Sequence, residues 1–195
     1  MRKVALSNLD AFFAAVAEKE TLYLPVDNAA GAAYEQWAPG KKWSSALNTV
    51  RSAKDFFFPQ TENLMDFKVS GKTIEIVDTR REDEDFVVFG VRACDVRSMR
   101  VLDNVFLAPP VDTYYQNRRS HGVIVSVACS HPAASCFCGT FGIDASDPEG
   151  DVVCYRTEDA LYLNAKTEKG EALLSRLEQV TEACDDTAAQ AEKKV

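Results

Sequence analysis

The stretch FVVFGVRACD, residues 86–95, decides the fold. Its first six residues form a continuous apolar run, which predicts a β-strand covered on both faces. Asp95 can cap a following helix, in which apolar residues recur at helical spacing over residues 96–106. A second apolar run, VIVSVA at residues 123–128, predicts another buried strand. Together these segments predict one parallel βαβ unit.

The flanking segments extend this unit into an α/β fold. Apolar residues at spacings of three and four predict helices over residues 7–20 and 168–184. The segment 27–40 is rich in Ala and Gly and is interpreted as a loop or irregular ribbon. Further strands are predicted at residues 21–26, 72–78, 152–157 and 160–165. We therefore expect a mixed sheet with a central parallel βαβ unit and flanking helices.

Length and charge limit the possible organisation and partners. With 195 residues, 46% of them apolar, the chain has enough material for one ordinary domain, which we place at residues 1–184. Residues 185–195 are charged and Ala-rich and are expected to form a tail. A net charge of -8 argues against a nucleic-acid partner, because phosphate binding depends on clustered Lys and Arg.

The expected compartment is the cytoplasm. The first ten residues lack the apolar core and cleavage site of a secretory signal, and no run is long enough to span a membrane. Thiols stay reduced in the cytoplasm, so the six cysteines are better interpreted as ligands, redox groups or small buried residues than as a disulfide framework.

Chain topology predicts that four of the cysteines meet. Parallel strands joined by a right-handed crossover place their carboxyl ends at the same edge of the sheet, where ligands of open α/β sheets tend to bind. Cys94 follows the first buried strand and Cys129 follows the second. Cys136 and Cys138 lie on the loop that leaves Cys129, and this loop is short enough to fold back over that edge. The sequence therefore predicts a tetrathiolate site.

The spacing of the thiols favours an iron–sulfur cluster over zinc. In an extended backbone, the side chains of Cys136 and Cys138 would share one face about 6 to 7 Å apart, which a multi-iron cluster bridges readily. Structural zinc more often uses two Cys-X-X-Cys knuckles, which are missing here. Zinc, or buried thiols without any ligand, stay open as alternatives. The residues expected as cationic neighbours of an anionic cluster are Arg92, Arg97, Arg118 and Arg119.

Other cysteines and the histidines carry weaker hypotheses. Cys154, within a strand, and Cys184, late in the helix predicted at residues 168–184, are interpreted as structural. His131 lies beside the proposed site, either as a hydrogen-bond donor to it or as solvated surface. A thiol enzyme pairing Cys129 with His121 or His131 is conceivable, although no orienting group or oxyanion motif accompanies the pair.

An ordered set of short motifs resembles a known family. The motifs are Phe58-Pro59-Gln60-Thr61-Glu62, Phe89-Gly90-Val91-Arg92-Ala93-Cys94-Asp95, Leu102-Asp103-Asn104-Val105-Phe106, Tyr114-Tyr115, Arg118-Arg119, Cys136-Phe137-Cys138 and Glu168-Lys169-Gly170-Glu171. Over residues 50–180 this succession resembles the N-terminal domain of hydrogenase or sulfhydrogenase beta subunits and of the related electron-transfer subunit of anaerobic sulfite reductases. Ala93 departs from the pattern, which has proline there.

The resemblance implies an electron-transfer role. It implies a [4Fe–4S] cluster on Cys94, Cys129, Cys136 and Cys138, with no catalytic residue in this chain. Neither nucleic acid nor a membrane is expected as a partner, because the net charge is negative and no run is long enough to span a membrane. The implied partners are a flavin-containing reductase subunit, together with a hydrogenase or sulfite reductase catalytic subunit of an anaerobic complex. Such proteins usually continue into a ferredoxin-like module, which is expected to be lacking here. The alternative function is a non-redox scaffold that docks partner subunits and holds structural zinc or no metal.

Overall fold

The computed structural model describes residues 1–81 and 84–185. The expected tail therefore lies outside the described residues from position 186 onward. In the described part, the strands are Arg2–Ala5 (β1), Thr21–Asn28 (β2), Gly31–Gln36 (β3), Met65–Ser70 (β4), Thr73–Asp78 (β5), Phe86–Val91 (β6), Gly122–Val127 (β7), Val152–Arg156 (β8), Ala160–Ala165 (β9) and Glu182–Ala183 (β10). The α-helices are Leu9–Ala17 (α1), Ala93–Phe106 (α2), Thr113–His121 (α3) and Glu168–Arg176 (α4).

One mixed sheet organises the chain. Its strand order is β10-β1-β9-β8-β7-β6-β2-β3. The neighbouring strands β2, β6, β7 and β8 pair in parallel, whereas β1, β3, β9 and β10 pair antiparallel with their neighbours. The connection from β6 to β7 runs through α2 and α3, so the predicted βαβ unit is present. The predicted fold class, a mixed α/β sheet with flanking helices, is confirmed.

Helices cover both faces of the sheet. On one face, α1 and α4 bury Phe13 and Leu173 against residues such as Val125 of β7. On the other face, α2 and α3 bury Met99 and Tyr115 against residues that include Ile124. Alternate residues of β7 thus enter different cores, which explains why the strand is apolar on both faces apart from Ser126. None of the described helices has the length and apolar character needed to cross a membrane.

A bulge at Gly90 redirects the end of β6. Phe89 pairs with Val125, but Val91 pairs with the very next residue, Ser126, so one extra residue is inserted at Gly90. Gly90 has φ of 87°, a conformation that side chains with a Cβ rarely adopt. Because of the insertion, Val91 packs in the α2 core although Phe89 packs in the opposite one. The bulge therefore sets the direction in which the chain leaves the sheet towards α2.

Two of the predicted flanking segments have a different structure. The segment interpreted as a loop at residues 27–40 contributes β3 and a hairpin with β2, whose pairing runs from Tyr23 and Gln36 to Asn28 and Gly31. The last helix ends at Arg176 and not near residue 184. Residues Glu182–Ala183 instead form a short edge strand on β1, so Cys184 is not helical.

A second, two-stranded sheet stands apart from the main one. β4 and β5 form an antiparallel hairpin in which Phe67 pairs with Ile76 and Val69 pairs with Ile74. These four side chains share one face, because paired residues point to the same side of a sheet. Each is about two-thirds exposed. The hairpin therefore presents an uncovered apolar face.

Candidate metal centre

The four predicted cysteines line one cavity. Cys94, Cys129, Cys136 and Cys138 all contribute to the walls of a cavity of about 240 Å³ at the carboxyl edge of β6 and β7. Of these residues, Cys136 is exposed and the other three are partly buried. The remaining walls come from the segment after β3, the start of α2 and the loop between β7 and β8. They include Leu47, Asn48, Arg92, Ala93, Ser130, His131, Pro132, Ala145 and Ser146.

Regular structure places the first two thiols. Cys94 is the second residue of α2, directly after the strand that ends at Val91. Cys129 follows β7 by two residues, and its backbone N–H donates to the carbonyl of Ala145 at 2.8 Å. The N–H of Ala128 donates to the carbonyl of Cys154 in β8. The parallel register of β6, β7 and β8 therefore brings Cys94 and Cys129 to one edge.

A folded loop places the other two thiols. The backbone N–H of Ala133 donates to the Sγ of Cys136 at 3.3 Å. The N–H of Cys136 in turn donates to the carbonyl of Ala133. Cys138 begins a 3-10 helix, Cys138–Phe141, and its carbonyl accepts from the N–H of Ile143. Phe137 has φ of −130° and ψ of 17°, so the Cys-X-Cys backbone is not extended and the spacing considered for an extended backbone does not apply. The loop reaches the cavity through turns.

Neighbouring charges act differently on the pKa values of Cys94 and Cys129. Burial raises the pKa of the Cys94 thiol, and the negative charge of Asp95 raises it further. Burial also raises the pKa of Cys129, but the guanidinium of Arg92 acts in the opposite direction. Nη1 of Arg92 lies 3.9 Å from Sγ of Cys129. The surroundings of Cys94 and Cys129 therefore favour the neutral thiols, and a metal would have to displace their protons.

Of the four expected cationic neighbours, only Arg92 lines this cavity. Arg97 lies on α2, 3.8 Å from Glu149. Arg118 pairs with Glu62 and Arg119 pairs with Asp103. Arg118 and Arg119 belong to α3, which leads into β7 from the end opposite to Cys129, so placing them beside the cysteines was wrong.

The two histidines occupy opposite ends of β7. His131 lines the cavity, with Nδ1 3.0 Å from Oγ of Ser130. His121 ends α3, and its Nδ1 lies 2.7 Å from Oδ1 of Asp85. The six residues of β7 separate His121 from Cys129 by about 20 Å. A nucleophilic pair of Cys129 with His121 is therefore excluded by distance.

The remaining cysteines lie elsewhere. Cys154 is fully buried in β8 among the apolar residues of the α1 and α4 core. Burial raises its pKa strongly. Cys184 follows β10, and its N–H donates to the carbonyl of Met1. Neither residue is among those lining the cavity, so both stay interpreted as structural.

The donor set suits a group larger than one ion. Among residues 1–81 and 84–185, no three His, Cys, Asp or Glu side chains are already arranged to hold a single metal ion. A zinc ion needs four donors within about 2.3 Å of one point. The four thiols line one cavity of about 240 Å³, a volume that can contain iron and inorganic sulfide. The residues therefore fit a polynuclear cluster in donor type and in available volume.

The segment after β3 was missed by the sequence reasoning. Leu47 and Asn48 line the cysteine cavity, and Trp43 and Ser45 line a neighbouring one. This stretch lacks regular structure, and the carbonyls of Ser45 and Ala46 reach the site by accepting hydrogen bonds from Arg92. No periodicity marks such residues, so only the three-dimensional fold could have identified them.

Comparison with known proteins adds one relative. No family model and no solved structure matches the chain. The chain is 32% identical to sulfhydrogenase 2 subunit beta of Pyrococcus furiosus over 122 residues, which is 63% of this chain and 35% of the relative. It thus spans about a third of the length of the curated relative that it matches. This similarity supports a relationship of the chain to the hydrogenase beta subunit family.

Proposed function

We propose that this chain is the electron-transfer part of an oxidoreductase complex, holding a [4Fe–4S] cluster on Cys94, Cys129, Cys136 and Cys138. The observation that carries the proposal is the single cavity that these four thiols line. The similarity to a sulfhydrogenase beta subunit supports an oxidoreductase context independently of that geometry. When bound, such a cluster supplies one-electron transfer.

The residues around the thiols have separable tasks. Arg92 would offset negative charge at Cys129, because its guanidinium is the nearby cation. The N–H of Ala133 would donate to the sulfur of Cys136. The start of α2 at Ala93 directs the positive end of the helix dipole towards Cys94. These groups all stabilise negative charge, which is what an electron carrier needs when it is reduced.

The exposure of the site suits electron exchange with partner subunits. Cys136 is exposed, and the neighbouring rings of Phe137 and Phe141 are 57% and 64% exposed. A partner subunit can therefore approach the thiols closely. The proposed partners are a flavin-containing reductase subunit, together with a hydrogenase or sulfite reductase catalytic subunit. A cytoplasmic location belongs to the same proposal, because thiols that are to hold a cluster have to stay reduced.

Metal analysis tests this function. Protein purified without oxygen is expected to contain iron and acid-labile sulfide and to show iron–sulfur charge-transfer absorption. Serine replacements at Cys94, Cys129, Cys136 and Cys138 should each lower the iron content severalfold, whereas Cys184→Ser should not. Zinc without visible absorption, or metal-free protein that still binds its partners, would instead support the scaffold function and overturn the proposal.

A further inference from the structure

A second cavity adjoins the cysteine cavity. It has a volume of about 270 Å³, and the lining residues that it shares with its neighbour are Leu47, Arg92, Cys129, Ser130, His131 and Ser146. Its other walls include Trp43, Ser45 and Arg156, which do not line the cysteine cavity. A volume at the lower end of the range for ligand pockets suits a molecule smaller than a typical cofactor.

Arg92 and Arg156 differ from the other arginines in their ion pairing. In the part of the chain that the structure describes, other arginines form ion pairs with carboxylates, namely Arg2, Arg51, Arg80, Arg97, Arg100, Arg118, Arg119 and Arg176. No ion pair with a described carboxylate involves Arg92 or Arg156, although acidic residues outnumber basic ones in this chain. Both of these arginines line the second cavity.

Both guanidinium groups are held by neighbouring groups. Arg92 donates to the carbonyls of Ser45 at 3.3 Å and Ala46 at 3.0 Å. The Cζ atom of Arg156 lies 5.2 Å from the centre of the Trp43 ring, within the range of a cation–π contact. Arg156 ends β8 and Arg92 follows β6, so the parallel sheet brings both to the carboxyl edge where ligands commonly bind.

Two carboxylates that flank Ser146, which lines the second cavity, are already engaged. Asp147 accepts a hydrogen bond from the hydroxyl of Tyr155 and pairs with Lys166. Asp144 accepts from the backbone N–H and the hydroxyl of Ser146. Their charge is therefore partly compensated by these contacts, while the two arginines keep donors available for another anion.

We propose that this second cavity is a binding site for a small oxyanion, either an inorganic oxyanion or the carboxylate of a short organic acid. Arg92 and Arg156 supply the charge and paired N–H donors that such groups prefer. The hydroxyls of Ser45 and Ser130 are further polar groups on the walls. The bound anion would lie beside Cys129. This inference does not depend on the cluster, because the cavity and its arginines are formed by the protein alone.

Calorimetric titration of the whole chain tests the site. Inorganic phosphate and malonate are titrated separately at constant low ionic strength, and saturable one-to-one binding of at least one is expected. Arg156→Gln should weaken that binding by roughly tenfold or more, since it removes one charge-assisted contact. Arg100→Gln removes the same charge from an exposed arginine on α2 and should leave the affinity unchanged. The tighter of the two probes identifies the source of the oxyanion.

Two outcomes would overturn the site. One outcome is that neither anion binds saturably to the unmodified chain at concentrations up to about 20 mM. A site weaker than that would have no useful affinity. The other is equal weakening by Arg156→Gln and Arg100→Gln, which would indicate a general charge effect. Iron content is measured in the same samples. Because Arg156 is not a proposed ligand, its replacement should keep the iron content, so failure of this site is distinguishable from failure of the cluster proposal.

Discussion

Arg92 Nη1 lies 3.9 Å from the Sγ of Cys129, and the same guanidinium is anchored by the carbonyls of Ser45 and Ala46. Arg92 also lines both cavities. A single side chain therefore links the proposed electron-transfer centre to the proposed oxyanion site. Its replacement should change the properties of both.

The first prediction concerns the reduction potential. Arg92→Gln should lower the midpoint potential of the proposed cluster by on the order of tens of millivolts, because a nearby cation stabilises the more negative reduced state. Arg100→Gln is the matched control, since Arg100 is bound to Glu149 on the exposed side of α2. Redox titration followed by electron paramagnetic resonance gives the measurement. An unchanged or higher potential in Arg92→Gln would contradict the prediction.

The second prediction concerns the bulge in β6. Gly90→Ala should lower the free energy of unfolding by about 1 to 3 kcal/mol. Its φ of 87° is unfavourable for alanine, and a Cβ there would lie 3.0 Å from Cδ of Pro25. Gly139→Ala is the control, because a Cβ at Gly139 has no neighbouring atom within 4 Å. Chemical denaturation compares the two variants, and equal stabilities would show that the bulge is not strained by a side chain.

The third prediction concerns the link between β7 and β8. Asp151 is buried, and its carboxylate accepts from the backbone N–H of Ile124 at 2.8 Å and from the hydroxyl of Thr167 at 2.6 Å. Asp151→Asn replaces one acceptor oxygen with an NH₂ group and should cost about 1 to 3 kcal/mol of stability. The exposed Asp159→Asn should cost far less. Thermal or urea unfolding measures both, and similar losses would refute a special role for Asp151.

The fourth prediction concerns stability at high pH. Burial, with a further contribution from Asp103, raises the pKa of Tyr115 above its ordinary value. In the unfolded chain a tyrosine ionises near pH 10. The stability that depends on the neutral phenol is therefore complete below about pH 10 and is lost as the pH rises further.

Tyr115→Phe removes this ionisation. The variant should lose about 1 kcal/mol at pH 7, because the hydrogen bond from the Tyr115 hydroxyl to Asp103 is missing. Above pH 10 its free energy of unfolding should fall less steeply than that of the unmodified chain. Urea unfolding from pH 8 to pH 11 gives the comparison, and parallel curves would show that Tyr115 does not contribute to the alkaline loss.

The central part of the fold was accessible from local sequence. The apolar runs that become β6 and β7 are hydrophobic on both faces because separate cores cover each face. Cys94 and Cys129 directly follow these runs, so their arrival at one sheet edge is a consequence of parallel topology. The binding of a cluster there remains a prediction, since sequence and geometry give the donors but not the ligand.

Contacts between residues far apart in the chain explain the strands and side-chain positions that local sequence did not predict. β3 is built from small and polar residues and is a strand because it pairs with β2, and β10 is a strand because it pairs with β1. Arg118 and Arg119 are close to the cysteines along the chain, but α3 holds them at the opposite end of β7. Trp43 and Arg156 meet across more than a hundred residues, and no local pattern predicts their contact.

The β4–β5 hairpin is a segment that could be replaced without disturbing the rest of the fold. Its first and last residues, Met65 and Asp78, are paired with each other, so the chain enters and leaves it at adjacent points. None of its described residues belongs to the clusters of buried side chains that hold the sheet and helices together. A short Gly-Ser linker can therefore replace residues 66–77 without opening those clusters. The shortened protein would lose its most prominent apolar surface, and the junction offers an insertion point for a label or affinity tag.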